Sequence, residues 1–140
     1  MSSILPRLEN DRDKFVAILA GYADEMETLF TSNPGLRSRV PHSVHFADYS
    51  AEEVAEITVR IIAKSWAVDT VRLAALVAAA YRSLPESEQA NGRSARIFAE
   101  QLEGLQSDHI AVNNVPDTEL AIIPPTVLDA FASAHALNGI

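Results

Sequence analysis

The feature that most constrains this chain is a four-residue start signal with a long helical pattern behind it. Ser50-Ala51-Glu52-Glu53 reads as a capping box. The Ser hydroxyl can accept an orphan backbone N–H of the first turn, and the Glu carboxylate can reach back to the Ser N–H. Val54, Ile57, Ile61 and Trp66 follow on one side, which predicts a helix over 51–65. Asp69 caps a second stripe, Leu73, Leu76, Val77, Ala80 and Leu84, which must stop before Pro85. A third helix is predicted from about 93 to 110, with Ala95, Phe98, Ala99, Leu102 and Leu105 inward. A last one starts near Pro125, where a missing N–H costs nothing, and turns Val127, Leu128 and Phe131 inward. Residues 48–136 therefore read as a small antiparallel helical bundle.

The segment before it is ambiguous. In FVAILAGYADEMETLFTS, Phe15, Ile18, Leu19, Tyr22, Met26, Leu29 and Phe30 recur at helical spacing. FVAILAG also fits a short strand buried on both faces, and Gly21 inside a helix would cost about 1 kcal/mol against Ala. Val44-His45-Phe46 is a second short strand candidate.

Charge is uneven. Residues 1–47 hold five Lys/Arg and six Asp/Glu, net −1; residues 48–140 hold six and thirteen, net −7. Phosphate-backbone binding needs clustered cations, so the acidic part argues against nucleic acid as a partner. An apolar fraction of 48% is enough for a core, which argues against disorder. Cysteine is absent, no apolar run reaches the length of a membrane span, and the N-terminus lacks a signal-peptide pattern. These features predict a cytoplasmic protein with no membrane span.

The chemistry of nucleotide hydrolysis is missing its usual cradle. Glycines stand only at 21, 35, 92, 104 and 139, and lysines only at 14 and 64, none directly after a glycine. No G-x-x-x-x-G-K-[S/T] loop exists to hold phosphates, and no apolar strand ends in an acidic pair for Mg²⁺. His42 and His45 would lie on opposite faces of an extended segment, and His109 and His135 stand alone, so no metal site is expected. Met26 and Trp66 read as core or interface fillers. What remains is guanidinium: Arg37, Arg39, Arg93 and Arg96, each able to fork two N–H bonds to one phosphate or to stand solvated on a surface.

Taken in order, AGY, NPGLRSR and F-x-DYS-x-EE, at Ala20–Tyr22, Asn33–Arg39 and Phe46–Glu53, resemble the CbxX/CfqX family of AAA+ ATPases. That family includes red-type rubisco activases and cytosolic ATPases of type VII secretion. The resemblance is dense over residues 4–60 and thinner through NGRSARIF at 91–98. It implies a mostly α chain: an AAA+ helical lid bundle at 48–140, preceded at 1–47 by a remnant of the parallel α/β core with one or two short strands. Residues 15–20 would then be the sensor-1 strand. Tyr22 falls at the sensor-1 position, Arg39 at the arginine finger acting in trans, with Arg37 as second choice. Arg93, in Ala90-Asn91-Gly92-Arg93, falls at sensor 2 of the lid. The complete family module binds ATP and Mg; this chain alone, without phosphate loop and metal acids, is expected to bind neither and to be inactive outside an assembly. The implied partners are other AAA+ subunits in a homo- or hetero-oligomeric ring, or a protein client. The alternative is a non-enzymatic helical protein-interaction module derived from an AAA+ lid.

Overall fold

The computed structural model describes residues 10, 13–14 and 16–137. The chain divides into two compact units, Met1–Ala47 and Asp48–Ile140. Among the described residues the first contains α1 (Ala23–Ser32) and the one-turn α2 (Pro34–Arg37). The second contains α3 (Ala51–Ile62), α4 (Thr70–Ser83), α5 (Gly92–Asn113) and α6 (Pro125–Ala134), with short 3-10 turns at Glu86–Glu88 and Asp117–Glu119. The protein is mostly helical.

Unit 2 folds around α3. The capping box forms in full: Glu53 N donates to Ser50 Oγ at 3.2 Å, and Ser50 N donates to Glu53 Oε2 at 2.8 Å. Such a cap contributes about 1 kcal/mol. Asp69 Oδ1 accepts from Arg72 N at 3.0 Å and starts α4. α5 ends in left-handed Asn114, φ 49°, ψ 49°, a usual way to close a helix. α3 packs on α4 and α5, and α6 closes the bundle against α5 and α4. Val54, Ile62, Leu73, Leu76, Val77, Leu102, Leu128 and Phe131 are fully buried between them. Polar side chains are buried with them, Ser94, Thr58 and Gln106 among the described residues. Thr58 Oγ1 lies 2.9 Å from Val54 O and 3.3 Å from Ala95 O, tying α3 to α5. Gln106 Nε2 donates to Ile122 O at 2.9 Å. That loop is also pinned by an isolated parallel bridge, with Ala67 N donating to Ala121 O and Ile123 N to Ala67 O. Trp66 packs on the edge of the core, and its indole N–H donates to Glu103 Oε1 at 3.3 Å.

Unit 1 differs from the expectation. Residues 16–20 and 44–46 form no strand, and no helix runs through Gly21; Phe15 lies outside the described residues. A strand is held by its ladder, and among the described residues of this unit no second strand pairs with either segment. Val16, Ile18, Val44 and Phe46 are accordingly exposed, and Leu36 is the unit's one buried residue among those described. α1 instead begins at Ala23, just past the glycine.

Candidate functional site

Arg37 ends the one-turn α2 and Arg39 lies in the turn just after it, rather than on a loop beside a strand. Asn33 leaves α1 with its Nδ2 donating to Leu29 O at 3.0 Å, and Pro34 opens α2 with its preset φ. Leu36 anchors the turn inward. Arg37 is exposed; its Nη2 reaches Glu27 Oε2 at 2.5 Å, and its guanidinium lies 5.3 Å from the centre of the Phe30 ring. Both contacts return it to α1. Arg39 is half-buried, and its Nη1 donates to Gly35 O at 2.7 Å. Tyr22 is the residue before α1, with its side chain 80% exposed and no capping bond from it. Tyr22, Arg37 and Arg39 thus belong to unit 1, and Arg93 to unit 2.

Arg93 is the second residue of α5 and is exposed. No acidic residue stands in that first turn. Arg96 follows one turn later, also exposed, and neither makes an ion pair among the described residues. The other arginines of unit 2 are committed: Arg60 to Glu56, Arg72 to Asp129 and Arg82 to Glu52. The Glu52 carboxyl is held below the usual range by its own backbone N–H, with Arg82 adding to the effect.

Asn91 lies in the Ala90-Asn91-Gly92-Arg93 stretch, but its role is set by contacts that the sequence does not show. Asn91 takes φ 53°, ψ −127°, a conformation a non-glycine residue adopts at a cost of about 1–3 kcal/mol. Its side chain does not cap its own helix. Oδ1 accepts from Tyr49 N at 2.7 Å and Nδ2 donates to Asp48 Oδ1 at 2.7 Å. The only local hint was the Asn-Gly pair, which favours positive φ.

Among the described residues no group of three or more His, Asp or Glu side chains is placed to hold a metal ion. Among the described residues, what unit 2 offers an anion is the exposed guanidinium charge of Arg93 and Arg96 at the start of α5. Among the described residues no helix is long and apolar enough to cross a membrane.

No protein-family profile matches the chain. Protein CbbX of Cereibacter sphaeroides is 59% identical over 54 residues, 39% of this chain and 18% of the relative. Protein CbxX (plasmid) of Cupriavidus necator is 39% identical over 66% of this chain and 30% of the relative. The ESX-1 secretion system protein EccA1 of Mycobacterium tuberculosis is 31% identical over 97% of this chain and 26% of the relative. The chain spans less than a third of each of these curated relatives. Through that partial but matching stretch, together with its helical bundle, the chain belongs to the CbxX/CfqX family of AAA+ ATPases.

Proposed function

We propose that the chain is a partial AAA+ ATPase module that contributes an arginine finger and a lid to ATP hydrolysis in a ring assembly. Arg39 serves the nucleotide site of a neighbouring subunit; Arg93 serves the site of its own module. The phosphate loop and metal-binding acids come from outside this stretch. The observation that carries the reading is the placement of Arg93. A helix N-terminus is already electropositive, so two arginines in the first five residues and no acid in the first turn oppose the helix dipole. They do so on a unit with thirteen acids to six bases. That arrangement suits an anion brought to the helix end, where backbone N–H groups and a guanidinium add.

Arg37 and Arg39 face a different demand. A residue that acts on another subunit's site must leave its own contacts cheaply. The exposed Arg37–Glu27 pair contributes roughly 0–1 kcal/mol, so exchanging it for a phosphoryl oxygen is favourable. Arg39 hydrogen-bonds a carbonyl of its own turn.

The test uses a full-length relative carrying RSRV. Arg39→Ala should preserve nucleotide binding and lower kcat by on the order of 10³. Doped into wild-type rings, it should poison neighbouring sites out of proportion to its share. Arg93→Ala should weaken binding or lid closure as well as rate. A kcat within about twofold of wild type for Arg39→Ala would remove the finger role. The closed core and net charge of −7 of unit 2 favour a second reading, a lid-derived protein-interaction module, under which neither substitution changes hydrolysis.

A further inference from the structure

Two stretches singled out in the sequence, the Asp-Tyr before the capping box and the Asn-Gly before Arg93, meet in the fold. Asn91 links them: its carbonyl oxygen receives the Tyr49 N–H and its amide donates to the Asp48 carboxylate, both at 2.7 Å. The Tyr49 ring lies alongside, its Cε2 4.0 Å from where a Cβ on Gly92 would stand. Ser50 N, the next along the chain, is held by Glu53. Three successive residues, 48 to 50, are therefore tied at the point where the chain enters unit 2, directly after the boundary at Ala47. The Asn91 backbone sits at positive φ, where glycine would be comfortable, yet glycine is one residue further on. A strained asparagine persists only when its surroundings over-determine it, and here the side chain's two bonds do so.

We propose that Asn91 is a latch: it locks the entry segment Asp48–Ser50 onto the N-terminus of α5, so that these residues and Arg93 move as one body. This stands apart from the nucleotide reading, because it concerns which residues move together, whatever Arg93 contacts. Donor and acceptor are assigned by chemistry: a carboxylate only accepts, so the amide must donate to Asp48 and its carbonyl must face Tyr49.

The assay is amide hydrogen exchange by NMR on the whole chain, read at Tyr49 and compared with core amides of α4. Asn91→Gly removes both bonds and relieves the strain. Asn91→Asp sets a second carboxylate against Asp48. Each should speed Tyr49 exchange by at least about tenfold, the effect of losing one ordinary hydrogen bond, while α4 amides stay as in wild type. The reciprocal pair Asn91→Asp with Asp48→Asn restores a donor facing an acceptor and should recover protection. Chymotrypsin cleavage after Tyr49 should rise and fall in parallel. If Asn91→Gly loosens unit 2 as a whole, Asp48→Ala removes one bond without touching α5 and should still accelerate Tyr49 exchange. Tyr49 exchange within twofold of wild type in Asn91→Gly and Asp48→Ala, or no recovery in the reciprocal pair, overturns the latch.

Discussion

Gly104 is the thirteenth residue of the 22-residue helix α5, and it is exposed. A Cβ built there meets nothing within 4 Å, and its φ lies outside the positive range that would require glycine. Replacing it with Ala should therefore stabilise the protein. Glycine costs about 0.5–1 kcal/mol relative to Ala in a helix interior, chiefly through the freedom it has in the unfolded chain. No packing is gained or lost, so the full propensity difference should appear. For a unit of this size each kcal/mol raises Tm by about 4–8 °C, giving roughly 2–8 °C in a thermal melt. In urea, with an m-value near 2 kcal/mol/M, the midpoint should rise by about 0.25–0.5 M with m unchanged. Circular dichroism at 222 nm reads both. Gly35→Ala is the contrast, because its Cβ would stand 3.1 Å from Arg39 Nη1 and should bring no such gain. A midpoint for Gly104→Ala at or below wild type would mean that α5 is not continuous through residue 104, or that this face is covered.

Phe131→Ala should cost about 3–5 kcal/mol, since the ring is fully buried and edge-on to Phe98 at 6.1 Å; a urea midpoint lowered by less than about 0.5 M would contradict that packing. Burial lowers the His135 pKa below its ordinary 6.5. The unfolded chain therefore takes up the proton first, so stability is complete above pH 6.5 and declines as pH falls through the folded-state value. His135→Gln should flatten that decline, and parallel midpoint-versus-pH curves for the two proteins between pH 7.5 and 5.5 would refute it.

The bundle was readable because its signals are local. The Ser50 box, Asp69 and Pro125 each mark a helix start within a few residues, and Leu73, Leu76, Val77 and Ala80 repeat at helical spacing; all four are buried. Ends were less clear. α3 stops at Ile62, and residues 63–65 continue as a turn that returns Trp66 N to Ile62 O. α5 runs past the predicted 110 to Asn113, because the left-handed stop at Asn114 carries no apolar signal. Thr58 and Gln106 occupy core positions that a hydrophobic pattern passes over. The strand at 15–20 failed for a different reason: whether an apolar run pairs depends on a ladder partner elsewhere, which local periodicity does not report. The Asn91 contacts lie 42 and 43 residues apart in the chain, beyond any spacing rule, so the sequence pointed to Arg93 without showing what positions its helix.

The two units should also differ in how firmly they hold their arginines. α1 is ten residues long and buries none of them. An isolated helix of that length is marginal in water, because nucleation is costly and only tertiary burial offsets it. Opening α1 exposes little new apolar surface, so its amides should exchange through cheap local unfolding. Leu76, Val77 and Ala80 lie in a closed core, so their exchange requires opening of the bundle, near the global stability of about 5–15 kcal/mol. In the whole chain, then, Glu27–Phe30 amides should exchange within about a hundredfold of free-peptide rates while α4 amides are slower by several further orders of magnitude. The contrast bears on the two sets of arginines: Arg93 and Arg96 stand on a helix of the closed bundle, while Arg37 and Arg39 stand beside α1, next to Leu36, the one buried residue described in unit 1. Equal protection of α1 and α4 would refute this, and would mean that unit 1 is held by contacts as extensive as those of the bundle.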